Sequence, residues 1–332
     1  MDVFGCMLMR KDENKQVAKQ TPKTAGTRPS LCEMRIDLAG KIAAQTPSVG
    51  ENATAVPGLT LFRQTAPTAC YLASVEPSVT VFVQGRKRIN IGSVGYLCNE
   101  TSFLVACIDV PIQSQIIAAS EAVPQLSMRL RLDMHIVREV VSREDLPEAT
   151  GPTERRGLAV GQTTAGLLGA SSRLIDLLDA PEDIPFLEHL IEREIIYRIL
   201  RTPQGERLRA IATSGNLSQR TAKAIAWLSA NYAKHLRMEE LAEIAHMGVS
   251  TLHHQFRALT AMSPLQFQKQ LRLRVARERM LRDGLDATSA AYEVGYESVS
   301  QFNREYSRFF GQPPMRDIKA IRDGKVLAID AA

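Results

Sequence analysis

Two periodicities divide the chain. Between Leu59 and about Leu132, apolar residues come in short runs: Leu59-Thr60-Leu61-Phe62, Val79-Thr80-Val81-Phe82-Val83 and Ile89-Asn90-Ile91. Turn-forming pairs (Pro57-Gly58, Pro77-Ser78, Gln84-Gly85, Gly92-Ser93) separate them, which predicts the short strands of an all-β barrel or sandwich. Leu126, Met128, Leu130 and Leu132 alternate with Ser127, Arg129 and Arg131, the period of a strand with one buried face. After Asp133, an expected N-cap, Ile136, Val137, Val140 and Val141 recur at helical spacing. Residues 146–164, rich in Pro, Gly and Thr, read as a connection or a small hairpin. Helical patterns then dominate: Leu174, Leu177 and Leu178, then a helix over 184–200 ended by Thr202-Pro203-Gln204-Gly205. Ala212 to Ser218 reads as a linker, and the chain from about Arg220 to Ile318 is helical. The expected class is α+β: a disordered basic tail over 1–32, a β-domain over 33–165, a helical region over 166–211, an all-helical domain over 212–318 and a tail over 319–332.

Composition narrows this only slightly. At 332 residues, 45% apolar and 23% charged, the chain has material for about two domain cores. It has no apolar run near the roughly 18 residues of a membrane span and no secretory pattern at its start. Five cysteines, with no CxxC pair, argue against a disulfide framework and for a reducing cytoplasm. A net charge of +5 permits a polyanionic partner without establishing one.

The informative chemistry is an internal repeat. Leu241 to Phe256 and Ala290 to Tyr306 share one plan: a short helix with small residues, a glycine-containing turn, and a second helix. The second helices are anchored by Leu252/Phe256 and Phe302/Tyr306, four apart on one face. Ala242 and Ala291 allow close helix crossing, and a glycine permits the sharp turn. This is a helix-turn-helix plan, whose second helix is free to enter a major groove. One match is weak, since helical hairpins are common packing units; two in register are much stronger.

Between the repeats, Ser263-Pro264-Leu265-Gln266 reads as a helix start with a serine cap, proline in the first turn and glutamine at the capping-box position, and Gly284 as its terminator. A helix of about nineteen residues spans roughly 28 Å. That approaches the ~34 Å repeat of duplex DNA, so it can present two recognition helices to successive major grooves. Its basic residues, including Lys269, Arg272, Arg274 and Arg277, are expected to contact phosphates, as is Arg308. The bland alternative is a solvated charged face.

The segments Val294-Gly295-Tyr296-Glu297-Ser298, Phe309-Phe310-Gly311-Gln312-Pro313-Pro314, Ser263-Pro264 and Leu271 to Arg277 resemble the AraC/XylS transcriptional regulators over roughly residues 220–318. Upstream, Pro57-Gly58-Leu59, Glu76-Pro77-Ser78 and Val83 to Lys87 resemble the cupin-like N-terminal domain of one branch of that family. The resemblance implies a β-barrel sensor for a small-molecule effector, a helical dimerisation region and paired helix-turn-helix units. It implies a cytoplasmic activator, homodimeric, with double-stranded DNA and RNA polymerase as partners. By position, Ser250, His253 and His254 face outward on the first recognition helix, and Val299, Ser300, Gln301 and Arg304 on the second. Arg suits guanine, Gln adenine, and Val299 a thymine methyl. The sequence departs from the family at Gly248, where serine is usual, and at His253-His254. The effector-binding residues are unknown from sequence. The helices around Leu174–Leu178 and Ile184–Leu200 are the candidates for dimerisation, with packing on the barrel an equal alternative.

No catalytic, cofactor or metal site is expected. Residues 55–132 contain no histidine, and there is no GxSxG elbow, P-loop or HExxH helix. His135 and His189 read as isolated structural residues, and Glu192 and Glu194 beside Arg193 as a solvated face. Cys70, Cys98 and Cys107 read as buried small hydrophobes, with a thiol sensor as the minor alternative. The rival to a regulator is a ligand-binding or enzymatic cupin with a helical interaction module.

Overall fold

Ser30 opens the first helix of the computed structural model, which describes residues 29–142, 156–213 and 215–323. Its hydroxyl accepts from Glu33 N while the Glu33 carboxylate accepts from Ser30 N, a reciprocal cap that starts α1 (Leu31–Ala44). Residues 31 and 32 of the expected tail belong to α1, and its residues 1–28 lie outside the described residues. Leu38 and Ile42, four apart, are fully buried on the β-domain.

Among the described residues ten strands follow: β1 (Gly50–Ala53), β2 (Leu59–Gln64), β3 (Tyr71–Val75), β4 (Ser78–Gln84), β5 (Arg86–Ile91), β6 (Val94–Cys98), β7 (Ser102–Ala106), β8 (Val110–Ala118), β9 (Gln125–Arg131) and β10 (Leu158–Gln162). They pair antiparallel in a six-stranded sheet, β1-β2-β9-β4-β7-β10, and a four-stranded one, β3-β8-β5-β6. In register, Leu61 faces Met128 and Val79 faces Leu130. Strand β4 is buried at six of its seven positions and β7 at all five. Both are interior strands of the six-stranded sheet, and α1 packs on β4 and β9. A strand covered on both faces has no polar face, which is why Val79–Val83 reads as nearly continuous apolar sequence. Phe82 and Phe103 fill the interior.

Helix α2 (Met134–Val141) starts at the expected Asp133 cap, whose carboxylate accepts from His135 N. The expected connection over 146–164 lies partly outside the described residues and ends in β10. The sandwich is followed by α3 (Ala165–Asp176), α4 (Ile184–Leu200) and α5 (Gly205–Ala212), then α6 (Leu217–Ala230), α7 (Met238–Ile244), α8 (Val249–Thr260), α9 (Pro264–Arg282), α10 (Ala287–Glu293), α11 (Val299–Phe310) and α12 (Pro314–Arg322). The last helix runs four residues past the expected domain end at 318.

Apolar burial sorts these elements into two cores. One runs without interruption from Leu38 of α1 through the sandwich and Ile195 of α4 to Leu252 and Phe256 of α8. The other holds Leu273, Met280, Phe302, Tyr306, Phe310 and Ile318. Phe256 packs edge-on against Phe267 of α9 at 5.4 Å, and the first helical pair is joined to the β-domain through α6, which packs on α5. Backbone contact adds to this: Gly157 N–H donates to Leu259 O at 2.8 Å, and a Cβ on Gly92 would lie 2.9 Å from the Ala261 methyl.

Candidate nucleic-acid interface

The two helical hairpins close with the same backbone device. After α7, Met247 N bonds Ala242 O at 3.0 Å and His246 N bonds Glu243 O at 2.9 Å. After α10, Tyr296 N bonds Ala291 O at 2.9 Å and Gly295 N bonds Tyr292 O at 3.0 Å. Each is a 6→1, 5→2 pair that requires a left-handed residue at its centre. Gly295 supplies it with φ +86°, but in the first hairpin His246 does so with φ +50°. The turn residue of the first repeat is thus a histidine, not the expected glycine. Gly248 is the N-cap of α8, the cap position where the resemblance leads one to expect serine, in extended backbone and without a side-chain bond. Ser298 caps α11 by accepting from Gln301 N.

Behind the turns, Leu252, Phe256, Phe302 and Tyr306 are completely buried, and Ala242 and Ala291 sit at the helix crossings with almost no exposed surface. That burial fixes which residues face out. Ser250, His253 and His254 are exposed on α8, as are Ser300, Gln301 and Arg304 on α11, whereas Val299 is half-buried. Thr251 and Arg257 share the exposed surface of α8 and were not singled out by sequence; the signal that was there is that Thr251 stands three before His254 and Arg257 four after His253.

The connector helix α9 has the expected ends: Ser263 and Gln266 form a capping box, Pro264 is in the first turn, and the helix is 19 residues long, or roughly 28 Å. Its charges are another matter. Arg277 is bidentate on Asp317 and lies 4.5 Å from the Phe310 ring centroid. Arg272 donates to the carbonyls of Tyr232, Ala233 and Lys234, and Gln268 to two of the same three. These bonds staple the loop between α6 and α7 to α9. Arg274 turns toward the β-domain, between Asp109 and Glu278, where burial pulls its basicity down. Lys269 pairs with Glu305 at 2.8 Å.

Helix α9 is a packed spine with Phe267, Leu271, Leu273, Ala276 and Met280 buried; of the arginines expected on phosphates, Arg272 and Arg277 are hydrogen-bonded within the protein and Arg274 is half-buried, whereas Arg279 and Arg282 are exposed. Lys269 is engaged but half-exposed, and Arg308 is exposed on α11.

Glu305 organises the surface between the two units. Burial works to raise its carboxyl, but hydrogen bonds from Lys269, Gln301 and Tyr296 outweigh that and hold it below the usual value. The Tyr296 hydroxyl is pushed up by burial and by Glu305 in turn. A carboxylate on a recognition helix would repel phosphate, and Lys269 neutralises it.

A β-sandwich whose core runs into one of two helix-turn-helix units, the second carried on a long connector helix, defines the class of fold. The AraC-type transcriptional regulator N-terminus family matches residues 55–207, and a helix-turn-helix domain family matches residues 241–319. The chain belongs to the AraC/XylS family of transcriptional regulators.

It is 29% identical over 166 residues to the HTH-type transcriptional activator RhaS of Salmonella schwarzengrund, which covers 50% of this chain and 56% of that protein. To RhaS of Escherichia coli it is 30% identical over 109 residues, 33% of this chain and 39% of that one. The chain spans about half the length of these curated relatives. Among solved structures, ToxT from Vibrio cholerae has the same fold, with TM-score 0.53 at 11% identity over 79% of this chain and 97% of that one. A ToxT structure with an unsaturated fatty acid bound gives TM-score 0.51 at 9% identity over 79% of this chain and 93% of that one.

Proposed function

We propose that the chain is an effector-controlled activator that reads about two turns of duplex DNA with α8 and α11. Two outward polar faces on buried anchors, held by one spine of nearly a duplex repeat, carry this reading. Ser250, His253 and His254 read one major groove, and Val299, Ser300, Gln301 and Arg304 the next. Arg308 and the half-exposed Lys269 take phosphates, joined by Arg257. RNA polymerase is the protein partner, and the cytoplasm its place; no described helix is long and apolar enough to cross a membrane.

The effector site is a cleft of about 200 Å³ at the rim of the sandwich, where Ile108 and Asp109 meet Arg138 of α2 and Lys223 of α6. Its apolar walls, with Arg138 and Lys223 outnumbering Asp109, whose carboxyl burial pushes up, suit a small carboxylic acid with an apolar body, and one ToxT structure holds a fatty acid. A ligand there touches the β-domain and the helix that leads into the first DNA-reading unit, so its binding bears directly on their docking. The chain pairs with a second copy through α4, where Phe186 is 74% and Leu190 52% exposed while Ile191, Ile195 and Ile199 pack inward.

The regulator reading gives no catalytic role to the sandwich. Cysteine sensing is disfavoured at two of three positions, because burial pushes the Cys98 and Cys107 thiols up to about 12. The test is in vitro selection of bound DNA from random duplexes: the reading expects one enriched motif spread over about two turns, and unselective binding would refute it.

A further inference from the structure

The helix α4 carries a set of side chains for which the DNA-reading function has no use. Glu188, His189 and Glu192 place one carboxylate oxygen, one imidazole nitrogen and a second carboxylate oxygen all within 4.8 Å of one another. Both carboxylates are buried, at 7% and 6% exposure, whereas His189 is open to solvent. Sequence reading took Glu192 for a solvated residue and His189 for an isolated one; the signal it passed over was the Glu-His-x-x-Glu spacing, which sets three donors on adjoining faces of one helical turn.

We propose that Glu188, His189 and Glu192 bind one divalent transition-metal cation of the zinc class. The Glu188 carboxylate accepts no hydrogen bond among the described residues, and its one ion-pair partner there is His189 Nδ1 at 3.7 Å, a member of the same set. Glu192 receives a single bond, from Asp133 N at 3.2 Å. The neighbouring Arg193 does not neutralise them, since its guanidinium is bidentate on Glu139 at 2.6 and 2.7 Å. Asp133, whose backbone N–H donates to Glu192, adds a further carboxylate beside the set rather than a counter-charge.

Two like charges four residues apart on a helix repel, and burying them without a counter-charge is costly. A divalent cation removes both penalties at once. The donor set selects the metal. Magnesium and calcium take oxygen ligands throughout, whereas an imidazole with two carboxylates suits zinc and its first-row neighbours. Ligand bonds of about 2.0–2.2 Å draw the donors closer than they stand here. Rotation of the exposed His189 ring supplies that adjustment and leaves an entry path from solvent.

The site needs no DNA contact, but it shares α4 with the proposed pairing face, where His189 lies between Phe186 and Leu190; metal binding is therefore titrated at protein concentrations both below and above pairing. Its test uses the full chain without an affinity tag, stripped with chelator, then titrated with Zn²⁺ by calorimetry and with Co²⁺ by visible absorption. One Zn²⁺ per chain is expected, with binding weakened roughly tenfold or more in His189→Ala and in the Glu188→Gln/Glu192→Gln double variant. Circular dichroism checks that both variants keep their fold. The Co²⁺ spectrum of the unaltered chain is expected to show ligand-field bands that Zn²⁺ abolishes. No saturable Zn²⁺ binding, no Co²⁺ bands, undiminished binding in both variants, or a preference for Mg²⁺ or Ca²⁺ would each overturn the proposal.

Discussion

The Arg277 guanidinium grips the Asp317 carboxylate with two parallel bonds, Nε to Oδ2 and Nη2 to Oδ1, both 2.8 Å long. Tyr306 donates its hydroxyl to the same carboxylate at 2.7 Å, so this one acid ties α9, α11 and α12 together. Asp317 is 1% exposed. Removing the arginine leaves a buried charge without its cation, which costs about 3–5 kcal/mol. Arg277→Ala is expected to lower stability by that order in urea unfolding, while the salt slope of DNA binding stays unchanged. The triple variant Arg277→Met/Tyr306→Phe/Asp317→Leu is expected to recover most of the loss, because it removes both charges and the hydroxyl that donates to the carboxylate. A flattened salt slope in the single variant would return Arg277 to the phosphate contacts.

The two hairpin turns predict opposite responses at equivalent positions. Gly295 combines φ +86° with backbone contact so close that a Cβ would stand 2.0 Å from Ala233 O. Gly295→Ala is expected to cost more than the 1–2 kcal/mol of left-handed strain alone. His246 has the same role with a side chain attached, so His246→Gly is expected to stabilise by about 1 kcal/mol. Thermal unfolding of the pair checks the sign of each.

Two arginines on one recognition helix separate base reading from phosphate neutralisation. Arg304→Ala is expected to lose about 1–3 kcal/mol on the selected site and to relax preference at one base pair. Arg308→Ala is expected to weaken all sequences alike and reduce the salt slope by about one. Competition binding at several salt concentrations distinguishes them; equal losses on every sequence for Arg304→Ala would remove it from the base contacts.

For Glu192 the pH dependence has a definite sign. Burial raises its carboxyl above 4.5, so the folded state holds its proton to higher pH than the unfolded chain does. Stability is then lost as pH rises through the raised value, and the penalty is absent below the unfolded value. Glu192→Gln in metal-free protein is expected to be more stable than the unaltered chain at pH 7, with the advantage vanishing below about pH 4.5. An advantage that does not change with pH would mean that its charge is not the cause.

Features set by neighbouring residues were legible in the chain. Ser263-Pro264-Leu265-Gln266 announces the start of α9 because a capping box is satisfied within four residues, and Leu252/Phe256 announces a buried face because their spacing is local. Features set by distant partners were not. Arg277 reads as a surface cation until Asp317, forty positions on, is brought beside it, and Glu192 reads as solvated until α2 covers it. Helix α1 was missed because its buried stripe is only Leu38, Ala39 and Ile42. The His246 turn was missed because left-handed backbone is inferred from glycine, and Gly248 stood two residues away. The outward residues of α8 and α11 were legible through the family resemblance, which carries them over by position, and the buried anchors of the structure are in keeping with it.

Hydroxyl-radical footprinting of the full chain on its selected duplex tests the central claim most directly. Two recognition helices carried on one spine predict two protected patches on the same side of the duplex, about one turn apart, with Arg304→Ala releasing only one of them. A single patch, or two on opposite sides, would contradict the account.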